Sequence, residues 1–182
     1  MTYRRAWKAR AAAYRPSCSQ HIFRVAAVVL RLMEFTADQI AELKQSIARK
    51  TILFSEKENK NVADFDVFII DTIGILTKIY SEADIAYVGG GFGNPGVHNI
   101  LEPATFGVPI VIGPNFSHFA EATALVGMGG CISISDAREL TDNLENLIHN
   151  IDIRHEKGHI CETFVRMNTG ATSSILRYFD II

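Results

Sequence analysis

The chain has 182 residues, 48% hydrophobic and 21% charged, with a formal net charge of −2. These are the proportions of a water-soluble globular protein, large enough for one domain with a sizeable core or for a domain with an appendage. They exclude a membrane-spanning protein, because the longest apolar run near the N-terminus, Val25–Leu30, lies between Arg24 and Arg31 and falls far short of the roughly 20 residues a span needs.

The charge is distributed unevenly. Seven of the 18 basic residues (Arg4, Arg5, Lys8, Arg10, Arg15, Arg24 and Arg31) stand in positions 1–33 with no acidic residue, leaving 11 basic against 20 acidic in the remainder. A body that acidic is unsuited to gripping nucleic acid through its phosphates, so no nucleic-acid partner is expected. Positions 1–33 form an atypical basic segment. It reads as a stretch foreign to the domain or disordered, as a basic arm for a membrane surface or an RNA, as a transit-peptide look-alike, or as a partly native strand over Ile22–Leu30. Residues 34–182 are expected to be one domain. Cys18, Cys131 and Cys161 are scattered without metal spacing and read as free thiols of a reducing compartment. The sequon Asn115-Phe116-Ser117 reads as a chance match.

Taken in order, Thr36 is a good N-cap for a helix in which Ile40, Leu43 and Ile47 recur at helical spacing up to Arg49. Thr51–Phe54 is a short strand and Ser55–Asn61 a polar connector. Asp66–Ile70 is a strand, and Asp71-Thr72 caps a helix carrying Ile75, Leu76, Ile79 and Tyr80. Asp84–Val88 is a buried strand that runs into Gly89, Gly90 and Gly91. After the Gly/Asn/Pro loop a helix is expected from about His98 to Phe106, closed by Gly107. Pro109–Ile112 is the next strand. Gly113-Pro114 leads to a helix from about Ser117 to Val126, Cys131–Ile134 is a last strand, Asp136–His149 a helix, and a final helical stretch starts near Asp152. Alternation of strand and helix through short connections predicts an α/β, Rossmann-like parallel sheet with helices on both faces.

Ligands of such sheets sit at the carboxyl ends of the strands. Asp71, Gly89–Gly91 and Gly113-Pro114 all fall there. The segment 84–107 carries the strongest signal. Glycines let backbone approach a phosphate, a helix start offers N–H groups and a positive dipole end, and a carboxylate one turn in can grip a ribose diol. A glycine run alone fits a tight corner as well. His98 reads as a phosphate contact or a simple cap, and Glu102 as a ribose contact or an ordinary first-turn acid. His118, His149, His155 and His159 carry no motif, and Leu140, Leu144, Leu147 and Ile148 have plain core spacing.

The blocks Asp71-Thr72-Ile73-Gly74, Ala83–Gly90, His98-Asn99-Ile100-Leu101-Glu102-Pro103-Ala104, Gly107-Val108-Pro109, Gly113-Pro114 and Phe119-Ala120-Glu121 together resemble the carboxyl-terminal domain of the 3-deoxy-D-manno-octulosonic acid (Kdo) transferases. The resemblance covers about residues 36–182. It implies the carboxyl-terminal half of a GT-B glycosyltransferase fold, whose family transfers Kdo from CMP-Kdo to the lipid A precursor in lipopolysaccharide assembly. It implies donor binding by Asp71, Gly74, Gly89, Gly90, Gly91, His98, Asn99, Glu102, Gly113, Pro114 and Glu121, with no metal and no cofactor. Full-length members work at the cytoplasmic face of the inner membrane. The chain departs from the family in having Gly91 where a serine is usual and Gly96-Val97 before His98-Asn99 where two glycines are usual. Arg31-Leu32-Met33-Glu34 stands where a nucleotide-contacting stretch is expected.

In the family the amino-terminal half carries the catalytic carboxylate, most of the acceptor surface and the membrane anchor. The chain taken alone is therefore expected to bind CMP or CMP-Kdo weakly and not to turn over, and an exposed interdomain face offers a route to self-association. Two other readings stand beside this one. The first is another GT-B sugar-nucleotide enzyme domain, such as a UDP-sugar transferase or epimerase. The second is a non-catalytic nucleotide-binding or partner-docking module.

Overall fold

A computed structural model describes residues 25–28 and 36–179, the former and 172–174 as backbone only. Apart from Val25–Val28, the basic segment 1–33 lies outside the described residues. The single domain expected over 34–182 divides into two compact units near Leu76.

The first unit contains helix α1 (Ala37–Ser46) and the strands β2 (Thr51–Leu53) and β3 (Val67–Ile69). Thr36 caps α1 with a reciprocal box: its hydroxyl accepts the Gln39 N–H, and the Gln39 side chain accepts the Thr36 N–H at 3.0 Å, so two otherwise unpartnered donors are satisfied. The strands pair in parallel, Ile52 opposite Phe68, and bury Ile52 and Ile69 with Ile47. The polar connector contains a 3-10 turn at Phe54–Glu56, where Lys44 and Glu56 form an ion pair of 2.6 Å.

The second unit is built on a four-stranded parallel sheet in the order β1 (Val25–Val28), β4 (Ile85–Val88), β5 (Ile110–Ile112), β6 (Cys131–Ser133). The sequence reading placed all strands in one sheet. β2 and β3 instead form a separate pair. Every residue of β4 and β5 is buried, the unbroken apolar pattern of strands covered on both faces. The remaining helices are α2 (Leu76–Tyr80), α3 (Leu101–Thr105), α4 (Ala120–Met128), α5 (Ala137–His149), α6 (Ile151–Met167) and α7 (Ala171–Tyr178), of which α3, α4 and α5 pack against α6. Val88, Ile100, Ala104, Ile110, Ile112, Leu125 and Cys161 are central to the core.

Local chemistry sets the helix ends. Asp136 caps α5 by accepting the N–H groups of Arg138 and Glu139 at 2.7 and 2.9 Å. At the other end of α5 the buried Arg154 donates to the carbonyls of Leu147 and Ile148 at 2.8 and 3.2 Å, placing a cation on the negative dipole end. The final helical stretch is two helices. Gly170, at φ 103°, breaks it. Cys131 and Cys161 are free and buried, and burial pushes the Cys161 thiol up to about 12. Such thiols are inert packing groups.

Two helical glycines have opposite surroundings. A methyl on Gly158 of α6 would run into the carbonyl of Gly107, whereas a methyl on Gly127 of α4 would meet nothing within 4 Å. Helix propensity favours alanine by about 1 kcal/mol at both sites, but overpacking costs about 1–3 kcal/mol. Gly127→Ala should therefore raise the melting temperature by about 2–4 °C and Gly158→Ala should lower it, measured by thermal denaturation.

Candidate functional site

The site is organised around the carboxyl ends of β4 and β5, adjacent strands with Val88 opposite Ile112. Beyond these ends the two backbones cross. A β-carbon added to Gly91 would lie 2.8 Å from the Gly113 backbone, and one added to Gly113 would lie 2.6 Å from Gly91. The Asn115 N–H closes the crossing by donating to the Gly91 carbonyl at 2.8 Å, and its side-chain amide donates to the Gly93 carbonyl at 3.3 Å. Gly91 and Gly113 are thus required by backbone contact. A serine at 91 would force the strand ends apart.

The glycine loop doubles back above β4. Gly90, at φ 94°, begins a turn in which Gly93 N–H donates to Gly90 carbonyl at 2.9 Å, and the His98 N–H donates to the Gly89 carbonyl at 3.0 Å. Gly96, at φ 82°, lies where a β-carbon would strike the Phe119 ring. The loop is therefore packed against the segment that leads into α4.

The expected helix from His98 to Phe106 is shorter. It spans only Leu101–Thr105, so His98 and Asn99 precede the helix and the dipole argument applies to one turn alone. Asn99 explains the late start. Its side-chain carbonyl accepts the Leu101 N–H at 3.0 Å, and its side-chain nitrogen donates to Glu102 Oε1 at 3.1 Å. An Asn that engages the backbone two residues on favours a cap over a helical position. Pro103 falls in the first turn, where its missing N–H costs nothing. Likewise α4 starts at Ala120, with Ser117–Phe119 in a turn outside it.

A cavity of about 170 Å³ opens in this region, lined by His98, Asn99 and Glu121 on its polar side and by Ile100, Phe119 and Ala122 on its apolar side. Its volume is below the several hundred Å³ typical of a whole-ligand pocket and suits a fragment such as a phosphate or a sugar. Glu102 is half-buried one turn further on. Gly113 and Pro114 do not line it. Gly113 instead meets Gly91 at the crossing.

Asp71 and Gly74 belong to the first unit. The expected Asp71-Thr72 cap does not form, because α2 begins only at Leu76. The Asp71 carboxylate instead accepts the Ser55 N–H at 2.9 Å and the Ser55 hydroxyl at 2.5 Å, tying the end of β3 to the end of β2. Asp71 also borders a cavity of about 480 Å³ with the paired Lys44 and Glu56. Gly74 is exposed at φ 86°. Sequence reasoning did not single out Ser55, nor the apolar wall of the 170 Å³ cavity beyond Phe119. Among the described residues no group of three or more His, Cys, Asp or Glu side chains is placed to hold a metal ion.

A parallel α/β sheet with a glycine loop, a short helix and a carboxylate beyond adjacent strand ends defines a Rossmann-like domain. A crystal structure described as the carboxyl-terminal CMP-Kdo binding domain of WaaA from Acinetobacter baumannii shares this fold, with a TM-score of 0.62, 24% identity, and coverage of 70% of this chain and 67% of that one. No family model matches the sequence. Curated 3-deoxy-D-manno-octulosonic acid transferases do. The chain is 38% identical over 96 residues to that of Chlamydophila psittaci (50% of this chain, 22% of the relative). It is 31% identical over 142 residues to that of Haemophilus influenzae (77% and 32%). The chain is thus related to the Kdo transferases and shares the fold of their carboxyl-terminal domain, while its matches span between about a fifth and a third of those relatives' length.

Burial pulls the Asp71 carboxyl upward, but the hydrogen bonds from the Ser55 hydroxyl and N–H outweigh it and leave the group below its ordinary value. Since the folded-state value lies below the unfolded one of about 3.9, the link stabilises the fold above that pH, and its contribution is lost as pH falls through the lowered value. Ser55→Ala should cost about 1 kcal/mol at neutral pH. The deficit should shrink as the pH is lowered from 6 towards 3, measured by denaturant melts across that range.

Proposed function

We propose that this chain is the donor-binding part of a Kdo transferase, which holds CMP-Kdo while Kdo passes to the lipid A precursor. The observation that carries the proposal is the convergence of His98, Asn99 and Glu121 on one cavity, with Glu102 hydrogen-bonded to Asn99 beside it. The parallel sheet directs these groups to the carboxyl ends of its strands, where such folds bind nucleotides.

The chemistry assigns a task to each group. The donor leaves as CMP, so negative charge grows on its phosphate while the anomeric centre becomes cation-like, and preorganised donors at the phosphate lower that barrier. The His98 ring and the backbone around Asn99 supply such donors at the cavity. Gly89, Gly90 and Gly91 are assigned the task of letting the backbone approach the phosphate. Asn99 occupies Glu102 Oε1, which leaves Oε2 to accept a ribose hydroxyl. Glu121, which lines the same cavity, limits how far an anion can enter and so favours a neutral sugar edge beside it. The transfer itself is proposed to draw on a carboxylate outside this set. Among the described residues no helix is long and apolar enough to cross a membrane, and the proposed place of work is the cytoplasmic face of the inner membrane.

Calorimetric titration tests the reading. CMP should bind the chain in preference to UMP and UDP. Glu102→Ala should weaken CMP binding about 10- to 100-fold, as expected for the loss of hydrogen bonds to a charged group worth about 1.5–3 kcal/mol. A preference for UDP would move the assignment to another GT-B enzyme class. CMP affinity unchanged in Glu102→Ala would remove the ribose contact.

A further inference from the structure

The 170 Å³ cavity takes its lining from two elements. His98, Asn99 and Ile100 follow the glycine loop, while Phe119, Glu121 and Ala122 belong to the start of α4. A ligand held between two elements is gripped only if their separation is fixed, because hydrogen bonds weaken steeply with misalignment.

Phe119 bridges the two. It is the N-cap residue of α4, and its carbonyl accepts the Thr123 N–H at 3.0 Å while its own N–H donates to the Phe116 carbonyl at 2.9 Å. Its side chain packs against the apolar core, so the ring has a firm base. The far edge of the ring reaches Gly96. A β-carbon on Gly96 would strike Cε2 of that ring, with Cζ at 3.0 Å and the Asn115 carbonyl oxygen at 3.2 Å. The ring thus fills the space that any side chain at position 96 would need.

The contact continues to His98. The Gly96 carbonyl oxygen occupies the place a β-carbon on Gly90 would take, and Cδ2 of the His98 ring lies 3.0 Å from that same place. Phe119, Gly96, Gly90 and His98 therefore form one run of contacts, from phenyl ring through glycine backbone to imidazole. Neither glycine has a side chain that could yield, and close-packed groups pass displacement on to their neighbours.

We propose that Phe119 is a positioning residue for His98: the edge of its ring, set against Gly96, holds the glycine loop so that the imidazole stays at the phosphate end of the cavity. This rests on His98 being the phosphate contact. An uncharged side chain then controls how well the site tells a nucleoside monophosphate from the nucleoside, because only the former has a group for His98 to meet. Groups of a binding site must be held closely to productive geometry by the packing behind them.

The test is a set of calorimetric titrations of the 182-residue chain and its variants with CMP and with cytidine. Phe119→Leu keeps apolar bulk against the core but removes the ring edge that reaches Gly96. It should weaken CMP binding about five- to tenfold, the partial loss of a hydrogen bond to a charged group. Cytidine affinity should stay unchanged, so the ratio of the two affinities falls, and thermal melts should remain cooperative. Gly96→Ala, which drives a methyl into the ring, should weaken CMP binding in the parent and do so less in Phe119→Leu, because contacting residues are non-additive. Unchanged CMP affinity in Phe119→Leu, equal losses for CMP and cytidine, or the same effect of Gly96→Ala in both backgrounds would overturn the positioning role while leaving His98 in place. Undiminished CMP binding by His98→Ala, or a parent chain that binds no CMP, would overturn the phosphate contact and the positioning role together.

Discussion

Two backbones touch where Gly91 and Gly113 cross beyond β4 and β5, and the geometry of the site depends on that contact. Any β-carbon at either position would meet the opposing main chain at 2.6–2.8 Å, closer than real β-carbons approach anything. The crossing keeps two parallel strand ends together where they would otherwise splay with the twist of the sheet. Asn115 locks it from outside through the Gly91 and Gly93 carbonyls. The loop from Gly90 to Val97 is then short of room. It folds back onto Phe119 and returns to β4 through the hydrogen bond from His98 to Gly89. His98, Asn99 and Glu121 come to share a cavity because these constraints leave the two loops a single arrangement.

The buried core beneath serves the same end. β4 and β5 are buried at every residue, and Ile100 and Ala104 carry α3 onto that core. A five-residue helix is too short to be stable alone. It exists because Asn99 accepts the N–H of its first residue and Pro103 and Ala104 are buried. Glu102 is consequently fixed relative to the strand ends and not merely tethered to a loop. Rigid support of this kind is what a binding constellation requires if its groups are to be held in productive geometry.

Much of this was legible in the sequence. The apolar run before Gly89 and the Pro109–Ile112 segment could only be buried parallel strands. Thr36 and Asp136 announced helix starts, and Gly107 announced an end, all through side-chain or backbone chemistry confined to a few residues. Errors arose where long-range contact decided the outcome. The glycines at 89–91 read as room for a phosphate, and what periodicity did not register is that Gly91 also has to make room for Gly113. Asp71 read as a cap, but Ser55, 16 positions earlier, takes its carboxylate. The helix expected at His98 starts at Leu101 because Asn99 turns its own side chain on the backbone, a competition that periodicity does not register. The separation of β2 and β3 from the larger sheet leaves no trace in strand-length apolar runs.

The central claim is that the cleft beyond β4 and β5 receives a cytidine nucleotide. Amide chemical shifts of the isotope-labelled chain, followed by NMR during titration with CMP, test it most directly. The account predicts saturable shifts concentrated at Gly89–Gly91, His98–Glu102 and Glu121, with α5 and α7 undisturbed. Shifts that scatter over the surface, or that cluster on α5–α7 while His98–Glu102 stay still, would contradict it.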